Sequence, residues 1–162
     1  MNDQQMHDLL SAARTIAVVG HSDDPSRTSY QIASFLRRAG YVVFAVNPTI
    51  AEAAGRPVYA TLADIPVHVD IVNVFRRSEY LPDVAREAAA IGAKAVWAQL
   101  GVEHRDAVDI AQAANMALVM DKCIKVEYMR LDVERDHEEL AANVTQEVPR
   151  PSLLEDYPED AG

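Results

Sequence analysis

Cysteine is almost absent from this sequence: Cys123 is the single one in 162 residues. One thiol cannot build an intramolecular disulfide framework, so a small disulfide-stapled extracellular domain is excluded. Long apolar runs are missing too, since none approaches the roughly 20 residues that span a bilayer. The opening segment MNDQQMHDLL lacks the basic region and the apolar stretch of a signal peptide. We therefore expect a one-domain cytoplasmic protein with no membrane partner.

Positive charge is scarce: 15 Lys and Arg stand against 25 Asp and Glu, for a net charge of −10. The excess is uneven, because residues from Asp132 onward carry −8 and residues 1–131 only −2. No basic face of the kind that binds DNA or RNA is present, so we expect no nucleic-acid partner. The pattern predicts a nearly neutral domain, 1–131, and an acidic C-terminal extension, 132–162. Within the extension, 133–143 fits an exposed helix and 146–162, rich in proline and acid, a flexible tail.

Apolar, β-branched runs alternate with helical patterns along the first 120 residues. Strands are predicted at 15–20, 41–46, 70–75, 94–99 and 117–120, with a further short one at 57–60. Helical faces are formed by Met6, Leu9, Leu10 and Ala13; by Ile32, Phe35, Leu36 and Ala39; by Leu81, Val84, Ala85, Ala88 and Ile91; and by Ala107, Ile110, Ala111 and Ala114. Ser78 is the predicted N-cap of the third helix. This alternation predicts an α/β fold, a doubly wound and mostly parallel sheet with helices on both faces.

The predicted winding places a ligand crevice at one edge of the sheet. Right-handed crossovers make strands 15–20 and 70–75 neighbours if the chain winds one way and then the other. Sheets of this type bind ligands at the carboxyl ends of the strands, where the winding reverses. The loop 20–30, the turn 47–49 and the segment 75–78 should therefore line the crevice.

The segment VVGHSDDPSRTSY begins like a nucleotide-binding turn and then lacks the glycines such turns contain. The dinucleotide fingerprint G-x-G-x-x-G, counted from Gly20, needs glycine where Ser22 and Pro25 stand, and an acid where the second strand is followed by Asn47. Hydroxyl side chains and Arg27 instead offer donors beside a helix N-terminus, which suits a phosphate. The alternative is that one hydroxyl only caps the helix and the arginine is solvated.

Two other strand ends contribute candidates. Arg76 and Arg77 follow a strand directly, so one of them can meet a phosphate in the crevice, or both can be plain surface arginines. Asn47 can hydrogen-bond a base or a ribose and Pro48 can pack on a ring, although Asn-Pro is also a common turn.

Catalytic patterns are weak in this sequence. The five histidines show no metal-ligand spacing with one another or with Cys123, and no serine lies in a nucleophile elbow. We interpret Cys123 as small apolar packing after the last strand. No catalytic residue and no metal ligand is therefore predicted.

Six segments together resemble a known family, the small stand-alone coenzyme A-binding proteins. These in turn resemble the N-terminal, CoA-binding Rossmann-like domain of the succinyl-CoA synthetase α subunit. The segments are IAVVGHSDDPSRTSY, GYVVFAVNP, GRPVYATLADIP, DIVNVFR, GAKAVWAQLGV and VMDKCIKVEYMRL. They occur in order over about residues 10–131 and leave the acidic extension uncovered.

The resemblance implies a doubly wound fold that binds CoA at named positions. The residues implied for the phosphates are Gly20, Ser22, Pro25, Arg27, Ser29 and Tyr30; those near the nucleotide are Asn47 and Pro48; and the strand-end motif is Val74, Phe75 and Arg76. His21 stands where a small residue such as alanine is common in the family. Asp121 and Cys123 match a D-x-C motif to which we assign no role.

Three functions remain open from the sequence. The first is a non-catalytic module that binds CoA or an acyl-CoA as a sensor, carrier or regulatory subunit, because the second domain of the synthetase has no counterpart here. The second is an NAD(P)-binding oxidoreductase or redox sensor, against which the missing ribose acid argues. The third is an enzyme acting on a CoA thioester through Cys123. A protein partner or a second copy of the chain is left open.

Overall fold

The computed structural model describes residues 1–134 of the chain, and they form one α/β unit. The helices are α1 (Asp3–Ala12), α2 (Thr28–Arg38), α3 (Leu81–Ala90), α4 (Arg105–Ala113) and α5 (Ile124–Arg130). The strands are β1 (Thr15–Val19), β2 (Val42–Val46), β3 (Glu52–Ala53), β4 (Arg56–Tyr59), β5 (Ile71–Val74), β6 (Ala95–Ala98) and β7 (Ala117–Val119).

The seven strands form one sheet in the order β3-β4-β2-β1-β5-β6-β7. Every pairing is parallel except that of β3 with β4, a short antiparallel hairpin at one edge. The chain winds outward from β1 toward β4 and then from β5 toward β7, so β1 and β5 are neighbours at the centre. The predicted doubly wound, mostly parallel fold is confirmed, and so is the position of the winding reversal.

Helices cover both faces of the sheet because its central strands are apolar on both sides. On one face, α1, α2 and α5 pack around a cluster that includes Ile16, Val18 and Trp97. On the other face, α3 and α4 pack on a cluster that includes Val72 and Val96. Alternate strand residues therefore belong to opposite clusters, which tells on which side of the sheet each side chain lies.

The amino-terminal edge of the sheet is closed by one buried carboxylate. Asp70 accepts hydrogen bonds from the backbone N–H groups of Arg14 at 2.8 Å and Thr15 at 3.2 Å, and Lys94 lies 3.6 Å away. Burial raises the pKa of Asp70, but these hydrogen bonds and the nearby cations outweigh it and hold the pKa below its usual value. The polar groups at this edge are thus used in hydrogen bonds within the fold. The edge formed by the carboxyl ends of the strands is left for a ligand.

Some elements differ from the sequence expectations. The short strand predicted at 57–60 is present as β4 (Arg56–Tyr59). Its hairpin partner β3, reached through Ala54 and Gly55 at positive φ, was not predicted because two residues show no alternating pattern. Helix α5 was not predicted, because its seven residues are too short for a clear apolar face. The assignment of Ser78 as an N-cap was wrong: it begins a 3₁₀ turn, Ser78–Tyr80, and caps no helix. The helix predicted at 133–143 and the tail 146–162 lie, from residue 135 onward, outside the described residues.

Candidate functional site

The candidate site is the crevice at the carboxyl ends of β1 and β5, and Gly20 forms its floor. Gly20 has a φ of +87°, which costs a residue with a Cβ about 1–2 kcal/mol. A Cβ there would also lie 3.0 Å from the carbonyl oxygen of Phe75 and 3.3 Å from Cγ of Arg76. Glycine therefore lets the loop after β1 approach the end of β5 closely, and it brings Arg76 alongside that loop.

The loop after Gly20 is held in place by His21, a buried residue that is only 1% exposed. Its Nδ1 donates to the carbonyl of Ser22 at 2.7 Å, while Nε2 has no hydrogen-bond partner among the described residues. Burial lowers the pKa of His21 to about 4, although the hydrogen bond to Ser22 acts in the opposite direction. The imidazole is therefore neutral near pH 7. It makes a T-shaped contact with the ring of Tyr30, with the ring centroids 5.8 Å apart.

Asn47 joins the turn after β2 to this loop. Its Nδ2 donates to the carbonyl of His21 at 3.0 Å, and its Oδ1 accepts from the backbone N–H and the hydroxyl of Thr49 at 2.9 and 2.7 Å. Both lone pairs of Oδ1 are thus used inside the protein, and Nδ2 keeps one N–H. Pro48 is exposed directly beside it. The structure shows Asn47 holding the crevice wall in place.

The hydroxyl groups of the loop are mostly engaged with the loop itself. Ser29 Oγ accepts from the backbone N–H of Ser22 at 2.9 Å, which ties the loop to the first turn of α2. Asp24 accepts from the backbone N–H and the hydroxyl of Ser26 at 2.9 and 2.8 Å. Sequence reasoning missed this use of Asp24, although an Asp two residues before a Ser is the usual signal for such a turn. Pro25, which follows it, is exposed.

The N-terminus of α2 opens into the crevice without a side-chain cap. Arg27 is the N-cap residue and makes no capping hydrogen bond. In α1, by contrast, Asn2 caps the helix in a capping box, and in α4 the N-cap His104 accepts a hydrogen bond. The first N–H groups of α2 therefore keep the partial positive charge of a helix N-terminus and remain available to an anion.

Arg27 and Arg76 lie at different points along the loop between β1 and α2. Arg27 is exposed at the start of α2, and the guanidinium of Arg76 lies 4.2 Å from the ring centroid of Tyr80. Arg77, by contrast, points to solvent with 83% of its side chain exposed and lies 3.6 Å from Glu79. Of the two arginines after β5, it is therefore Arg76 that lies against the loop, because its Cγ is next to Gly20.

The far half of the crevice is a rigid turn after β6. Ser78 Oγ donates to the carbonyl of Gly101 at 3.3 Å and accepts from the N–H of Glu103 at 3.0 Å. Asp121 Oδ1 accepts from the N–H of Gly101 at 2.6 Å. These bonds hold Leu100 in solvent with 67% exposure. The turn therefore presents an apolar side chain from a fixed backbone at the same edge of the sheet.

Cys123 lies beside this turn, where the chain passes back over the end of β6. The N–H of Lys122 donates to the carbonyl of Ala98 at 3.3 Å, and Trp97 Nε1 donates to the carbonyl of Lys122 at 3.0 Å. Cys123 is half-buried against the α2/α5 side of the sheet and is a free thiol. The packing predicted for it agrees with this position.

The structure brings most of the predicted site residues together but moves one into the core. Val74 has 0% exposure in the cluster under α3 and α4, so its side chain does not reach the crevice. Phe75 is half-buried on the opposite side, where its carbonyl meets Gly20. Of the strand-end motif, the Phe75 backbone and the Arg76 side chain are thus the parts that lie next to Gly20, which a residue pattern alone does not distinguish.

Within residues 1–134, no group of three or more His, Cys, Asp or Glu could hold a metal ion. In the same part of the chain, no helix is both long and apolar enough to cross a membrane. No hydrogen bond in that range links the Cys123 thiol to a histidine or a carboxylate.

Together, the fold and the crevice define a class: a doubly wound α/β domain that presents an uncapped helix N-terminus where the winding reverses. Within that class the chain belongs to the CoA-binding domain family, whose model matches residues 14–129. The family expectation drawn from the six sequence segments is confirmed by this match.

Related proteins agree with the family assignment. The chain is 43% identical over 122 residues to the uncharacterized protein YneT of Bacillus subtilis, a match that covers 75% of this chain and 90% of that one. A structure from Thermus thermophilus superposes with a TM-score of 0.76 at 39% identity, covering 81% of this chain and 99% of the other. A hypothetical protein from Pyrococcus horikoshii superposes with a TM-score of 0.78 at 31% identity, covering 81% and 92%.

A more distant relative is a large enzyme. The chain is 26% identical over 121 residues to the ADP-forming acetate–CoA ligase I of Archaeoglobus fulgidus, a match that covers 68% of this chain. The same match covers only 18% of the ligase. The chain therefore matches less than a fifth of that enzyme's length.

Proposed function

We propose that the protein binds CoA or an acyl-CoA as a non-catalytic module that serves as a sensor, carrier or regulatory subunit. The observation that carries the proposal is the uncapped N-terminus of α2, with Arg27 at the N-cap, at the winding reversal where Arg76 lies against Gly20. CoA carries a diphosphate and a 3′-phosphate, and backbone N–H groups with arginines are the donors that such anions take.

In the proposed site, CoA lies along the carboxyl edge of the sheet, and each part of it contacts a different strand end. The phosphates lie at the loop 20–30, with Gly20 giving room and Ser22, Ser29 and Tyr30 shaping the wall. The adenine end lies toward Asn47 and Pro48. The pantetheine arm then runs past Phe75 toward the turn that carries Leu100, whose exposed side chain suits an apolar arm.

The non-catalytic character rests on the groups that the crevice contains. The buried imidazole of His21 has its Nδ1 hydrogen-bonded to the Ser22 carbonyl, and its low pKa leaves it neutral. Cys123 has no paired base among the described residues. A general base must lie within hydrogen-bond reach of the proton it removes, and neither group meets that condition here.

An NAD(P)-dependent function is the second candidate from the sequence, and the turn after β2 argues against it. Dinucleotide domains place an Asp or Glu there for the ribose hydroxyls. Here Asn47 uses its Oδ1 for Thr49. Calorimetric titration of the full chain with CoA and with NADH tests the choice: we expect CoA to bind and NADH not to, and tighter binding of NADH would overturn the assignment.

Arginine substitutions test the placement of the phosphates. Arg27→Ala and Arg76→Ala should each weaken CoA binding by about 1.5–3 kcal/mol, the scale of a hydrogen bond to a charged group. Arg77→Ala is the matched control, because it removes the same charge from the exposed neighbouring position and should change affinity less than about twofold. If all three folded variants bind CoA like the parent in calorimetry, the phosphates lie elsewhere.

A further inference from the structure

We propose that Cys123 is a thiol–disulfide exchange site that captures a CoA moiety from CoA disulfide. The inference rests on the proposed function, because it requires the nucleotide to be held at the loop 20–30. It assigns Cys123 a chemical role in addition to the packing that its half-buried position shows.

The first argument is reach. Gly20 directly follows β1, and Cys123 lies where the chain passes over β6 after leaving β7, two to three strands away. Strands are about 4.8 Å apart, so the separation along the edge is about 10–14 Å. The pantetheine arm has about twelve bonds from the phosphate oxygen to sulfur, the length of about four extended residues, or about 14 Å. Phosphates held beside Gly20 therefore allow the sulfur to reach Cys123.

The second argument is an unsatisfied acceptor between these two points. Gln99 is 8% exposed, and its Oε1 has no hydrogen-bond partner in the part of the chain that the structure describes. Gln99 follows β6 and continues its ladder, since its N–H donates to the carbonyl of Val74 at 3.1 Å. It is two residues after Trp97, so its side chain is expected on the side of Trp97, which belongs to the α2/α5 cluster against which Cys123 packs. A buried carbonyl oxygen without a donor is destabilising, because nothing replaces the hydrogen bond that it made to water. An amide N–H of the pantetheine arm is a donor of the kind that Oε1 lacks.

The exchange balances without a further oxidant. The Cys123 thiol gives its proton to water, and the thiolate attacks one sulfur of CoA–S–S–CoA. The S–S bond of the reagent breaks while a bond forms between Cys123 Sγ and the sulfur of one CoA. The second CoA leaves as a thiolate and takes a proton from water. A reducing thiol such as glutathione reverses the step.

The test compares two disulfides on the full-length reduced protein. CoA disulfide and cystamine, which carries the same cysteamine sulfur without a nucleotide, are each added at equal concentration, and adducts are followed by intact mass under non-reducing conditions. We expect CoA disulfide to modify Cys123 at least tenfold faster than cystamine, with no adduct in Cys123→Ser. Arg27→Ala, Arg76→Ala and Gln99→Leu should each slow CoA disulfide several-fold and leave the cystamine rate unchanged, whereas Arg77→Ala should change neither rate.

The outcomes separate this inference from the proposed function. Equal rates for the two disulfides, no adduct in the parent protein, or a rate ratio that none of the site variants lowers would overturn the exchange role. Reduced CoA is titrated into Cys123→Ser by calorimetry in parallel, and we expect affinity within about threefold of the parent. Binding there without directed exchange refutes only the role of Cys123, whereas no CoA binding by either protein refutes the proposed function and this inference with it.

Discussion

At the scale of single residues, His21 is an ionisable side chain that this fold keeps neutral and buried. Its 1% exposure and its bond to the Ser22 carbonyl hold the ring under the loop, and burial lowers its pKa from 6.5 to about 4. The unfolded chain therefore takes up a proton near pH 6.5, while the folded chain does so only near pH 4. Since the unfolded state binds more protons between these values, the free energy of unfolding falls as the pH drops from about 7 to 4.

Replacing His21 by Phe should flatten this pH dependence. The phenyl ring keeps the packing against Tyr30 but has no group that binds a proton. Between pH 7 and pH 4 the free energy of unfolding of the variant should therefore fall by about 2–3 kcal/mol less than that of the parent. This follows from about 1.4 kcal/mol per unit of pKa shift. Urea unfolding at a series of pH values measures the difference. Parallel curves for parent and variant would show that His21 titrates alike in both states.

At the scale of elements, the site depends on how closely the ends of β1 and β5 approach each other. Gly20 and Gly101 both have a positive φ, +87° and +85°, so both need the same backbone freedom. Only Gly20 is crowded: a Cβ there meets the Phe75 carbonyl oxygen at 3.0 Å, whereas nothing lies within 4 Å of one at Gly101. The two positions therefore separate the cost of the backbone conformation from the cost of strand-end packing.

Gly20→Ala should destabilise the fold more than Gly101→Ala. The conformational cost of about 1–2 kcal/mol is common to both, and the contact with Phe75 adds about 1–3 kcal/mol at Gly20 alone. Chemical denaturation of both variants measures this difference. Gly20→Ala should also weaken CoA binding, because it pushes Arg76 away from the loop. Equal destabilisation of the two variants would refute the close approach as the reason for glycine at position 20.

At the scale of the whole molecule, charge is divided between the domain and the C-terminal extension. Residues 1–131 carry −2 and the remainder −8, of which 146–162 supplies −4. The family match ends at residue 129, so the extension lies outside it. An acidic segment attached to a domain that binds a multiply charged anion opposes that binding over about 10 Å at 0.1 M salt.

Deleting 146–162 should leave CoA affinity equal or slightly higher at low salt, with the difference shrinking as salt is added. A second variant keeps the full-length chain but carries Asn and Gln in place of Asp and Glu within 146–162. It separates the effect of charge from that of chain length. Calorimetry at two salt concentrations and a melting curve measure both. Loss of CoA binding or a large drop in melting temperature on deletion would contradict our view that the segment is dispensable, and would implicate Leu153, Leu154 and Tyr157 in packing.

The fold was largely predictable because its signals are local and repeated. Runs such as 15–20 and 70–75 are apolar on both faces, which is typical of parallel strands covered by helices, and the structure has strands within each of them. Right-handed crossovers then leave few topologies, so the neighbouring position of β1 and β5 also followed from the sequence. The short strand predicted at 57–60 corresponds to β4, whereas helix α5 and strand β3 were not predicted because elements of seven and two residues show no period.

The sequence predicted which strand ends form the candidate site, but it did not predict the contacts between their side chains. Gly20, Arg27 and Arg76 could be named from their order in the chain, because carboxyl ends of parallel strands meet at one edge. Which hydroxyls were already used could not be read off, since Ser29 bonds Ser22 across a loop. The buried state of His21 and the exposure of Leu100 likewise depend on packing by segments distant in sequence.

Residue order and apolar periodicity thus account for the sheet, the helices, the winding reversal and the family to which the chain belongs. Which polar atoms stay free depends on the tertiary structure. Oδ1 of Asn47 is used by Thr49 while its Nδ2 keeps one N–H, the side-chain cap of α2 is missing, and Oε1 of Gln99 lacks a donor among the described residues. The physical reason is range. Periodicity acts over a few residues, whereas hydrogen-bond satisfaction and burial are set by neighbours that can be 20 or more positions away in the chain.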